Sequence, residues 1–266
     1  MHHKDGGSMR ALALIFSTFL LMCTDSVARP RLVSTSLCSD AYILSTVRGK
    51  DITALSWQAN DQLSNASQNL RGKPKAWDNI ERLLALDPTL VVFGPGEGEA
   101  AKPLLDKAGI KYLGLVWGED FASIDANLKL LAEAMGVLPD LTPKPKAPSG
   151  RKVKILYLSA SGGTAGPDTY VDAVIEQAGG TNIITTPGWH TPDIETLVGL
   201  EPDLIVTSFF KDGYASVNTA GLNNKVLQNK LKATPHINVP GKLWPCAGPG
   251  LYAATDIIAN AIKELP

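Results

Sequence analysis

The same helix-to-strand step is written twice in this sequence. Residues 81–93 read ERLLALDPTLVVF, and residues 195–207 read ETLVGLEPDLIVT. Each copy opens on a glutamate, Glu81 or Glu195, and runs through an apolar-periodic segment to Pro88 or Pro202. It then ends in a run rich in β-branched residues. Proline cannot continue a helix and biases its predecessor toward extended backbone, while Val, Ile and Thr suit a strand. The flanking segments repeat the pattern. In the first half RLVST, ITALS, TLVVF and KYLGLV read as strands separated by helical segments; in the second, KVKILYL, NIITT, DLIVT and HINVP do so. Each half therefore reads β-loop-α-β-α-β-α-β, which predicts an α/β protein with two Rossmann-like lobes, each on a parallel sheet.

Between the halves lies DFASIDANLKLLAEAMG (120–136), with Ile124, Leu128, Leu131 and Met135 at helical spacing. VLPDLTPKPKAPSG follows and reads as a Pro/Lys-rich linker. The predicted organisation is a signal peptide over 1–28, an N-terminal lobe over 29–118, a single helical and Pro-rich connection over 119–150, and a C-terminal lobe over 151–266. The leader is read from Arg10 followed by ALALIFSTFLLMC, too short to span a bilayer, and from Ser26-Val27-Ala28 as a cleavage site. His2 and His3 precede an alternative start at Met9 and carry no functional weight. Met22 before Cys23 is too bulky for a lipoprotein box, so a cleaved, exported chain is expected. Export leaves Cys38 and Cys246, which either pair in an oxidising compartment or stay as two separate buried thiols.

Net charge is −1 over 266 residues, without the basic excess that attracts nucleic acid. Walker, Gly-x-Ser-x-Gly and His-Glu-x-x-His motifs are missing, which argues against catalysis. GPGEGEA (94–100) is Gly-rich but lacks dinucleotide spacing, and Glu97 and Glu99 would repel a phosphate. His190 and His236 are too few for a bare zinc or manganese site, so no metal site and no resident cofactor are expected. Ligands of parallel sheets bind beyond the carboxyl ends of the strands. Trp57, Trp117, Trp189 and Trp244 each come soon after a predicted strand, and Trp77 stands just before a helix cap. Such flat aromatics facing one another suit a large, partly apolar ligand, or else they plug the lobe ends as core. Phe93 is counted with this ligand-facing set, and His190 is either a ligand contact or a solvated loop residue.

The leader, RLVSTSLCSDAYILSTVRGKDITALS, DNIERLLALDPTLVVFGPG, DIETLVGLEPDLIVT and LWPCAGPGL together resemble periplasmic substrate-binding proteins of ABC importers, in the subgroup handling ferric siderophores, haem and cobalamin. The resemblance covers nearly all of residues 30–265. It implies two rigidly joined lobes, a cleft ligand, a monomeric protein and a periplasmic location. It also implies docking of Glu81 and Glu195 onto a permease dimer. Trp189 is similar to a ligand-contacting tryptophan of the cobalamin-binding member. Cys38 and Asp40 fall in a first-lobe loop facing the cleft and Cys246 in the corresponding second-lobe loop, as an inter-lobe disulfide or as two cleft-lining thiols. The sequence departs from the family at the Pro/Lys-rich segment, which shortens the inter-lobe helix. It departs again at Gly250, where many relatives carry an arginine; without that charge, a strongly anionic ligand fits less well. The expected ligand is a small-molecule metal chelate, a cobalamin-like corrinoid or a ferric siderophore. Haem is the alternative, with His190, Tyr170 or Tyr214 as axial ligand. A rival reading is an exported thiol- or metal-dependent α/β protein using Cys38 and Cys246.

Overall fold

The computed structural model describes residues 1–2, 30–138, 152–208 and 225–266. The expected leader, Cys23, most of the Pro/Lys-rich segment and Tyr214 lie outside the described residues. No helix among the described residues is long and apolar enough to cross a membrane.

The first lobe is built on β1 (Leu32–Ser34), β2 (Ile52–Ser56), β3 (Lys75–Ala76), β4 (Leu90–Phe93) and β5 (Lys111–Gly114). They form one parallel sheet in the order β3-β2-β1-β4-β5. Its helices are α1 (Leu37–Thr46), α2 (Gln68–Arg71), α3 (Ile80–Ala85) and α4 (Lys102–Lys107). The second lobe carries β6 (Val153–Ser159), β8 (Gly180–Asn182), β10 (Leu204–Ser208) and β11 (His236–Val239), parallel in the order β11-β10-β6-β8. Its helices are α6 (Tyr170–Gln177), α7 (Ile194–Gly199), α8 (Lys225–Ala233) and α9 (Gly250–Glu264), while α5 (Phe121–Met135) lies between the lobes in the chain. A small antiparallel pair, β7 (Thr164–Ala165) with β9 (Trp189–His190), is added to the second lobe. Strands of two residues are too short for any alternation to announce them.

The written repeat is a structural repeat. In each lobe the step runs from a short helix, α3 or α7, into a strand that flanks the lobe's first strand. β4 pairs with β1, and β10 pairs with β6. Both helices are capped alike: Asn79 Oδ1 accepts from Arg82 N at 2.9 Å, and Asp193 Oδ1 accepts from Thr196 N at 2.7 Å. Strands β4 and β10 are buried along their whole length, as parallel strands between helix layers must be. In β6, Ile155 and Tyr157 join one cluster while Leu156 and Leu158 join another.

The clusters show how the lobes combine. Each lobe has its own outer core, around Val33, Val91 and Leu105 in the first and Leu158, Ile205 and Leu227 in the second. A third cluster runs through both lobes, from Leu32 and Tyr42 through Leu128 and Leu131 to Ile155, Trp244 and Leu251. Polar ties reinforce it. Tyr42 donates to the Ala247 carbonyl at 3.0 Å and accepts from Asn127 Nδ2 at 3.2 Å. Asn65 Nδ2 donates to the Lys242 carbonyl at 3.0 Å. Cys38 and Cys246 form a disulfide with their Cα atoms 5.3 Å apart, which settles the open question about the thiols.

Candidate functional site: a cavity at the end of the second sheet

Strand β6 ends at Ser159, and the chain does not run straight on, because Gly162 takes a positive φ of 79°. Instead it doubles back: Ser159 N donates to the Gly163 carbonyl at 2.8 Å, and Gly163 N donates to Ser159 Oγ at 3.0 Å. This turn delivers Thr164 into β7, where β9 pairs with it and sets Thr164 opposite His190. A cavity of about 450 Å³ opens between these elements, lined chiefly by Tyr157, Ser159, Ser161, Thr164, Tyr170 and Trp189. His190 and Thr191 complete that wall, and Leu63 reaches in from the first lobe. Among the described residues the lining has no Lys, Arg, Asp or Glu.

The aromatic wall is braced from behind. Trp189 packs on Tyr170 with ring centroids 5.0 Å apart, and Trp244 backs both Tyr157 (5.4 Å) and Tyr170 (6.4 Å). Tyr170 N donates to Glu119 Oε2 at 3.1 Å, so the segment between β5 and α5 holds this wall in place. Burial, with the Glu119 carboxylate adding to it, pushes the Tyr170 phenol up to about 12. His190 turns Nε2 toward two carbonyls, Pro187 at 2.7 Å and Thr186 at 3.0 Å.

The expected site residues separate into three groups. Trp189 and His190 lie in the cavity wall. Trp57, Trp77 and Trp117 follow the carboxyl ends of β2, β3 and β5, at 63%, 43% and 67% exposure, but do not line the cavity. Trp77 follows a strand that the sequence hid in a polar stretch, and the Arg82 guanidinium lies 5.7 Å from its ring centroid.

The third group is structural, and here the expectation of ligand contact is corrected. Phe93 is fully buried in the outer core of the first lobe, edge-on to Tyr112. It points there because β4 alternates faces and places Val92 inward. Trp244 is 1% exposed and serves as the backing of the wall, not its surface. Asp40 is not in a loop, because Ser36 closes a capping box with Ser39 and starts α1 early. Its Oδ1 accepts from Ser56 N at 3.0 Å and its Oδ2 from Ser56 Oγ at 2.6 Å, so α1 is tied to the end of β2. Cys38 and Cys246, being joined, offer no thiolate to a metal, which removes the basis of the thiol/metal reading. Gly250 has a packing reason: a Cβ there would lie 2.6 Å from the Leu243 carbonyl oxygen, so a side chain would displace the start of α9.

Sequence reasoning missed Tyr157, Ser159, Ser161, Thr164, Thr191 and Leu63. The available signal was the hydroxyl content of SASGGTAGP, a Gly-rich loop at the end of a strand.

The fold is that of periplasmic solute-binding proteins. HutB, a periplasmic haem-binding protein of Vibrio cholerae, matches with a TM-score of 0.65 at 20% identity, over 88% of this chain and 99% of that one. BtuF, the periplasmic vitamin B12 binding protein of Vibrio cholerae, matches at 0.58 and 18% identity, over 88% and 96%. A periplasmic haem-binding protein of Pseudomonas aeruginosa matches at 0.61 and 19%, over 87% and 92%. In sequence, a cobalamin-binding protein of Halobacterium salinarum is 26% identical over 179 residues, 58% of this chain and 47% of its own length. The chain thus spans about half the length of the curated relatives it matches. No protein-family model matches the sequence. These relatives and neighbours are binding proteins.

Proposed function

We propose that this chain is an exported solute-binding protein that captures a metal chelate, foremost an amide-bearing corrinoid of the cobalamin type, and delivers it to an ABC importer. The observation that carries the reading is the aromatic, hydroxyl-rich cavity without a charged side chain among its described lining residues. A large neutral chelate loses little on entering such a site, whereas carboxylates of a siderophore or of haem would be desolvated without a cation to meet them. Haem ranks second. Tyr170, held as a neutral phenol by burial, is a poor source of an axial phenolate, so His190 is the better axial candidate of the two. Trp57 and Trp117 supply an apolar rim to the same ligand, and Trp77 a more distant part of it.

Delivery rests on Glu81 and Glu195, each exposed in the first turn of its helix in the repeated step. Two equivalent carboxylates on two equivalent lobes match a partner built of two like subunits, the permease dimer. The chain acts as a monomer, and catalysis has no part in the reading.

Titration of tryptophan fluorescence with cyanocobalamin, ferric siderophores and haemin tests the ligand. Quenching by the corrinoid is expected, and a response confined to siderophores or haemin would replace it. The Glu81→Ala, Glu195→Ala double variant should keep its affinity and lose uptake in cells carrying the importer. Normal uptake by that variant would remove the docking assignment.

A further inference from the structure

We propose that His190 and Thr164 form a two-acceptor fork that selects a hydrogen-bond donor, a carboxamide N–H of the ligand, and rejects a carboxylate in its place. The inference rests on the corrinoid reading and adds what the cavity discriminates by. Carbonyl oxygens only accept, so the His190 Nε2 facing Pro187 and Thr186 carries the ring hydrogen. In the neutral imidazole the lone pair is then left on Nδ1, which can accept but cannot donate. Thr164 is committed in the same sense. Its hydroxyl donates to the Tyr157 carbonyl at 2.6 Å, leaving only oxygen lone pairs for a guest.

The two residues are register partners across β7 and β9, and opposite residues of an antiparallel pair present their side chains on one face. Both line the cavity. A primary amide carries two hydrogens on one nitrogen, which suits two adjacent acceptors. A carboxylate has none and would set its lone pairs against theirs. The other hydroxyls are adaptable: Ser159 and Ser161 sit 2.9 Å apart, with either able to donate. The fork therefore adds a directional term to the penalty that the cation-free lining already sets on a carboxylate.

The test compares cyanocobalamin with a corrinoid whose peripheral amides have been hydrolysed to carboxylates, using fluorescence titration of the full chain. Wild type should prefer the amide form by at least about tenfold, the scale of one hydrogen bond lost and one polar group left unpaired. His190→Ala should reduce that preference to the share that the cation-free lining imposes by itself, and Thr164→Val should reduce it by less. His190→Lys, which replaces an acceptor with a cation, should turn it toward the carboxylate. Unchanged preference in His190→Ala and Thr164→Val, with wild type still binding cobalamin, would overturn the fork alone. Failure of wild type to bind either corrinoid would overturn the corrinoid reading and the fork with it. A haemin Soret shift that disappears in His190→Ala would also overturn the fork, because it would make the imidazole a metal ligand.

Discussion

The two lobes share a topology but treat the carboxyl ends of their first strands in opposite ways. In the first lobe, the place where strand order reverses, between β1 and β4, is filled from within. Glu97 folds back so that Oε2 accepts from Thr35 Oγ1 at 2.6 Å and from Gly94 N at 2.8 Å. Gly94 is needed for this approach, because a Cβ there would collide with Ser36 Oγ and press on the Glu97 carboxylate. The second lobe, at the end of β6, has hydroxyls and aromatic rings around open space. Parallel sheets offer ligand sites beyond the carboxyl ends of their strands. A duplicated fold can therefore keep one site and close the other with a single carboxylate. The expectation that Glu97 would repel a phosphate is sharpened: Glu97 occupies the place itself.

The contrast can be broken at three points. The largest effect is expected from the tie that holds the filled half beside the open half. Reduction of the Cys38–Cys246 disulfide, or Cys38→Ser with Cys246→Ser, should cost about 2–5 kcal/mol, since the bond closes a long loop. Denaturant melts with and without a dithiol reductant measure it. An unchanged midpoint would mean that the continuous apolar core alone fixes the lobes.

Glu97→Ala comes next, at about 1–3 kcal/mol, because Gly94 N–H loses its side-chain acceptor and the Thr35 hydroxyl keeps only the longer contact to the Val92 carbonyl at 3.3 Å. If the carboxylate is a built-in anion, sulfate should restore part of that loss beyond the general salting-out seen in wild type. Equal sulfate responses in the two proteins would show that the first lobe holds no latent anion site.

The smallest effect concerns Asp40, the buried carboxylate beside that same switch point. Burial raises its proton affinity above the ordinary value of 3.8, against the hydrogen bonds from Ser34 and Ser56 that lower it. The folded chain then holds this proton more tightly than the unfolded chain. Its contribution to stability is present below the unfolded value and is lost as pH rises through the folded one. Asp40→Asn removes the titration, so stability of the variant relative to wild type should improve as pH is raised across that window. Paired denaturant melts read the slope, and a flat difference would show that the hydrogen bonds offset burial.

Much of the architecture was legible in the residues. Pro88 and Pro202 each follow the helix of the step, and the β-branched runs after them build parallel strands. These are local rules, carried by backbone geometry and short-range hydrogen bonds, and so the doubled step read true. Trp189 and His190 do line the cavity, and their place just after a strand signal was a local pattern that the sequence could show. Asp40 and Phe93 were misplaced for the opposite reason. Whether a side chain faces a cleft or a core depends on which residue of a short strand or helix comes first, and one shift exchanges the faces.

The sequence by itself determined two α/β lobes, because periodicity, caps and breakers act within a few residues of one another. Only the tertiary structure decided that Cys38 meets Cys246, that Trp244 stands behind Tyr157 and Tyr170, and that the end of β1 is filled while the end of β6 opens on a cavity. Those facts depend on distances between residues far apart in the chain, and packing fixes such distances where no local rule reaches.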